Sequence, residues 1–147
     1  MIRYAIERKK FRLNNRRQAT AWIKAVCESK GKKAGEIQYI FTTDERILAI
    51  NQEFLKHDYF TDIITFDYTE DHLLSGDIFI SVDTVQSNAA QYKTSFEEEL
   101  RRVIIHGVLH LAGYKDKKTA DRKMMRAEED AALQRWHSMF DTPSPTE

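Results

Sequence analysis

One segment limits what this 147-residue chain can become. Residues 95–113 read SFEEELRRVIIHGVLHLAG, a helix whose two ends are written into the sequence. Ser95 and Glu98 form a capping box, and Glu97, Glu98 and Glu99 suit the positive end of the helix dipole. Phe96, Leu100, Val103, Ile104, Gly107 and Leu111 recur at three-to-four spacing and predict a buried stripe. Gly113 stands where a helix stops in a left-handed turn. A helix with so long an apolar face needs a surface to cover, and the rest of the chain must supply it.

The first half supplies strands. Ile2, Tyr4 and Ile6 alternate with other residues over 2–8, the period of a half-buried strand. A helix begins at Asn14 and Asn15, turns Ala19, Trp22, Ile23, Val26 and Cys27 to one side, and ends near Gly31. Residues 37–41 (IQYIF), 61–68 (TDIITFDY) and 77–81 (DIFIS) predict three more strands, with Ser75 and Gly76 in the turn before the last. Thr43 can cap a short helix that carries Ile47, Leu48, Ile50 and Phe54 inward. Helices are expected over 82–92, 96–112 and 119–140. The expected fold is α+β, a small mixed four-stranded sheet covered by helices. It forms one domain over 1–140, followed by a flexible tail over 141–147 that contains Pro143 and Pro145.

Composition closes several routes. Apolar residues at 41% and aromatics at 11% exclude wholesale disorder. No apolar run approaches the roughly 20 residues a bilayer needs, and the opening Met1-Ile2-Arg3 is no signal peptide. A cytoplasmic, soluble protein with no membrane partner is therefore expected. Cys27 is the sole cysteine, which excludes an internal disulfide and a cysteine-built zinc site. The 23 basic and 23 acidic residues balance, yet they fall in blocks. Residues 1–33 hold eleven Lys/Arg and two Asp/Glu, and 101–126 hold eight and two. The stretch 34–100 between them holds three and fourteen. Blocks of this kind can pair with each other, or can form a basic face that attracts phosphate.

His106 and His110 lie four apart on the delimited helix, so both imidazoles leave one face. That spacing lets two nitrogens reach one zinc ion, and the reversal at Gly113 can bring Asp116 back as a third ligand. Three protein ligands with an open position are the catalytic arrangement, as opposed to a closed structural one. A metallopeptidase would need HExxH, and here the Glu position is Gly107, which argues against that chemistry.

These residues resemble the YbeY-type endoribonucleases, or rRNA maturation factors, whose signature is similar to the HGVLHLAGYKD of residues 106–116. Two further blocks are similar in order: NQEFLKHDYFTDIITF over 51–66 and the Gly76-Asp77-Ile78 strand. The resemblance covers roughly 35–130. It implies a zincin-like metal helix, zinc bound by His106 and His110, and Asp116 in place of the family's third His. It also implies metal-dependent cleavage of single-stranded and ribosomal RNA, in particular at the 3′ end of the small-subunit RNA, with ribosomal particles as partners. Leu55 stands at a position where the family usually carries an arginine; either Lys56 or His57 beside it takes that role, or the role is lost. Arg101, Arg102, Lys115 and Lys117 flank the metal segment and are expected to face RNA phosphates. Tyr59, Phe60 and Tyr114 are candidates to stack unpaired bases, and Asp77 to orient a ligand His. The residues also allow a metal-stabilised ribosome-assembly or RNA-binding factor with little catalysis, and a hydrolase of another bond.

Overall fold

The computed structural model describes residues 1–55 and 61–141. Strands β1 (Ile2–Ile6), β2 (Lys33–Thr42), β3 (Ile63–Asp67) and β4 (Leu73–Ser81) form one sheet in the order β1-β2-β4-β3. β1 and β2 run parallel, as do β2 and β4, while β3 returns antiparallel along β4. The helices are α1 (Arg16–Ser29), α2 (Asp44–Ile50), α3 (Val82–Gln91), α4 (Phe96–Leu111) and α5 (Thr119–Phe140). A single π-helical turn over Asn51–Leu55 prolongs α2. This is the expected α+β architecture with a mixed four-stranded sheet.

The period-two pattern decides which face is covered. Ile37, Tyr39, Phe41, Leu74, Ile78 and Ile80 point to one side and build the main core with α1, α4 and α5. The other parity, Ile64, Phe66 and Phe79, meets Ile47 and Ile50 of α2 in a smaller cluster. Phe54, expected inward, is 60% exposed because the π turn rotates it outward past α2, and its ring only edges against Phe66. The last strand is longer than expected, since Ser75 and Gly76 lie inside β4 and not in a turn. Glycine suits that place for a non-local reason. A Cβ on Gly76 would stand 2.5 Å from the Phe66 carbonyl oxygen and 3.0 Å from Leu111 Cδ2.

α4 is delimited as its sequence requires. Ser95 Oγ accepts from the Glu98 amide at 3.0 Å. At the other end Gly113 has φ of 106°, the Tyr114 amide donates to Leu109 O, and the Gly113 amide donates to His110 O, each at 3.0 Å. That pair of bonds satisfies the carbonyls that a helix leaves open. Gly107 faces the sheet, where an added Cβ would meet Ile78 Cδ1 at 2.9 Å. Its missing side chain lets α4 lie close on β4. Trp22 Nε1 of α1 donates to Ala132 O of α5 at 2.7 Å, and the Trp22 and Trp136 rings meet edge to face. Cys27 is buried beneath this layer, and burial pushes its thiol up to about 11, which makes it inert packing. Among the described residues no helix is long and apolar enough to cross a membrane.

Candidate active site

The face of α4 turned away from the sheet carries Glu99, Arg102, His106 and His110, and α5 packs along it. His106 is the centre. Its Nδ1 lies 2.6 Å from Glu129 Oε2 and its Nε2 lies 3.1 Å from Asp116 Oδ2. Glu129 comes from α5 and is 5% exposed, and its other oxygen accepts from Arg102 Nη1 at 2.9 Å. Arg102 Nη2 reaches Asp130 Oδ1 at 2.8 Å. Burial alone would lower the pKa of His106, but the hydrogen bond to Glu129 and the charges of Glu129, Asp116 and Asp62 outweigh it. The net direction is upward.

His110 lies one turn on and is exposed. Its Nδ1 stands 2.9 Å from the Tyr114 carbonyl oxygen, which can only accept, so Nδ1 carries the proton and Nε2 is the basic nitrogen. Glu129 holds His106 in the same sense. Both rings thus keep Nδ1 on an acceptor, the way a carboxylate or carbonyl behind an imidazole fixes the nitrogen that a metal uses. The donors N, N and O suit zinc. Two of them, His106 Nε2 and Asp116 Oδ2, already converge. Among the described residues no three His, Cys, Asp or Glu groups enclose a single point.

Two further carboxyls, Asp62 before β3 and Glu99 of α4, line the cleft beside His106. Burial holds both above the ordinary carboxyl range, against the attraction of His106 for Asp62 and of Arg102 for Glu99.

The expected RNA contacts separate into groups. Arg102 is held by Glu129 and Asp130 inside the fold. Arg101 pairs with Glu98 at 3.2 Å and lies over the Trp136 ring, on another flank of α4 from His106. Both guanidiniums are therefore occupied within the fold, because the basic block of α4 folds against the acidic residues of α5 and of its own first turn. Lys115 and Lys117 are exposed on the loop after Gly113. Lys56, His57, Tyr59 and Phe60 lie outside the described residues. The Tyr114 ring is covered by the Lys30 ammonium, 5.3 Å from its centroid. Asp77 sits on β4 with the opposite parity to Gly76 and Ile78, the residues that meet α4, so it cannot orient a histidine there. Glu129 does that work. The sequence did carry a signal for it: Met125, Ala132, Leu133 and Trp136 are the buried stripe of α5, and Glu129 is a carboxylate set in that stripe.

A family model described as Endoribonuclease YbeY matches residues 3–137. A protein of that name from Parabacteroides distasonis is 54% identical over 118 residues, covering 80% of this chain and 83% of its own length. Its counterpart from Phocaeicola vulgatus is 51% identical over 133 residues, covering 90% and 96%. Among solved structures, the solution structure of TM1509 from Thermotoga maritima superimposes with a TM-score of 0.68 at 24% identity. That match covers 100% of this chain and 99% of the other, and shows the fold.

Proposed function

Because the chain belongs to the YbeY family of endoribonucleases, we propose that it is a hydrolase of RNA phosphodiester bonds that depends on one bound zinc ion. We further propose that it acts on single-stranded ribosomal RNA during maturation of the small-subunit 3′ end, in association with ribosomal particles. The observation that carries the metal reading is the polar chain Arg102–Glu129–His106–Asp116, with His110 one helical turn away.

His106, His110 and Asp116 would hold the ion. When bound, zinc supplies Lewis acidity toward a phosphoryl oxygen. The protein's own groups do the rest. Glu129 accepts from His106 Nδ1 and keeps Nε2 directed at Asp116. The Tyr114 carbonyl does the same for His110. Gly107 contributes no carboxylate and faces the sheet, so a proton taken up during hydrolysis goes elsewhere in the cleft. Asp62 lines that cleft, and burial raises its carboxyl above the ordinary range, which makes its carboxylate a stronger proton acceptor.

The test is to purify wild type and His110→Ala, measure zinc by elemental analysis, and follow cleavage of a single-stranded RNA. Wild type is expected to carry about one ion per chain, and the substitution is expected to lose metal and cleavage together. Metal bound by wild type without cleavage would favour an assembly factor. Cleavage untouched by the substitution and by chelator would overturn the site.

A further inference from the structure

The cleft beside His106 has a second wall. Asn88 and Tyr92, from α3 and its cap, line it together with Arg126 of α5, His106 and Glu129. Tyr92 is 58% exposed, one of the few large aromatic side chains the fold leaves in solvent. Arg126 lines this cleft and also the neighbouring one that contains Asp116, and His106 lines both.

Arg126 differs from the other cations around the site. Arg102 spends two nitrogens on Glu129 and Asp130. Arg122 donates to the Lys117 carbonyl and to Thr119 Oγ1. Arg126 has a single ion-pair partner among the described residues, Asp130 at 4.0 Å, and that carboxylate is already engaged by Arg102 at 2.8 Å. Its side chain is 62% exposed. A phosphate that approaches a cleft lined by Asp62, Glu99 and Glu129 is repelled unless a cation meets it first, and of the two arginines that line this cleft Arg126 has the donors to spare.

We propose that this cleft is a subsite for one unpaired nucleotide, with its phosphate on the Arg126 guanidinium and its base stacked on Tyr92. The pairing of an aromatic face and an arginine fork across one groove is the chemistry that takes single strands and rejects a duplex, whose bases are already stacked. The subsite deepens the endoribonuclease reading and rests on it. It adds two residues that touch substrate, neither of which is a metal-ligand candidate.

A short single-stranded RNA with one 2-aminopurine is titrated against the metal-free protein in chelator, and the same RNA is cleaved by the zinc-loaded protein. The proteins are wild type, Tyr92→Ala, Tyr92→Phe, Arg126→Gln, and Arg135→Gln as a charge control on the exposed side of α5. Wild type is expected to quench the fluorescence. Tyr92→Ala loses that quenching and weakens binding roughly tenfold with the salt slope unchanged, while Tyr92→Phe retains both. Arg126→Gln weakens binding roughly tenfold and reduces the salt slope by about 0.7, one phosphate contact on a single strand. Arg135→Gln changes neither. Equal quenching, affinity and salt slope in wild type, Tyr92→Ala and Arg126→Gln, with cleavage intact, would overturn the subsite and leave the endoribonuclease reading standing. Quenching by wild type that Tyr92→Ala loses as expected, in a wild type that cuts no RNA, would support the subsite and overturn the hydrolase reading.

Discussion

α4 is sandwiched between two seams that solve opposite problems. Its sheet-facing side, with Val103, Ile104, Gly107, Val108 and Leu111, is dry, and a missing side chain at Gly107 sets how closely it lies on Ile78. Its α5-facing side is a polar chain in which Arg102, Glu129, His106 and Asp116 satisfy one another in turn. The dry seam draws its energy from buried area and shape, so it is intolerant of volume. The polar seam yields little net stability, since desolvating charges offsets most of their attraction, but it fixes the direction of the His106 imidazole. Stability and chemistry thus occupy opposite faces of one helix.

The sharpest way to break this contrast is to fill the dry seam. Gly107→Val forces branched carbon into Ile78 and Ile63 and is expected to cost about 3 kcal/mol, read as a lower midpoint in urea. An unchanged midpoint would mean that the seam is loose. Next comes Glu129→Ala, which leaves Arg102 and His106 without their shared carboxylate and is expected to cost about 2–3 kcal/mol. A double substitution, Glu129→Leu with Arg102→Met, should recover most of that loss while the zinc binding proposed above stays impaired. Failure to recover would show that the polar chain contributes net stability after all. Third, Tyr39→Phe removes a buried hydroxyl bond from the sheet to α4, to Ile104 O at 2.9 Å, for about 1 kcal/mol.

The smallest effect is a pH term at the far end of α5. Hydrogen bonds to Asp141 and Glu98 raise the pKa of His137 above its ordinary value. A raised folded value favours the folded state when His137 is protonated. The contribution is therefore full below the unfolded pKa of about 6.5 and fades as pH rises through the folded value. His137 is 39% exposed, so solvent screening reduces the term to roughly a few tenths of a kcal/mol. Comparing thermal midpoints of wild type and His137→Gln at pH 5.5 and 8.5 should show the gap closing at the higher pH. A gap that widens would reverse the assignment.

What could be read from the chain follows the range of the interactions. The ends of α4 were legible because Ser95 with Glu98, and the Gly113 and Tyr114 amides with His110 and Leu109, act within five residues. The strand parity of Ile37, Tyr39 and Phe41 was legible for the same reason. Gly76 resembled a turn because its requirement, the Phe66 carbonyl and Leu111, comes from a neighbouring strand and a distant helix. Glu129 lies 23 residues from His106 on another helix, and only its place in an apolar stripe marks it. Arg102 reads from the sequence as an RNA contact because the partners that engage it, Glu129 and Asp130, are equally remote.

Tyr114 spends both of its backbone groups on the end of α4, its amide on the Leu109 carbonyl and its own carbonyl on His110 Nδ1. The bond that closes the helix and the bond that aims the His110 imidazole are therefore made by one residue. Helix ends open far more often than whole domains. Each such opening releases His110 while the sheet and the other helices remain folded. On heating, the hydrolytic competence of this chain should decline in step with amide exchange at Tyr114, well below the temperature at which the domain melts.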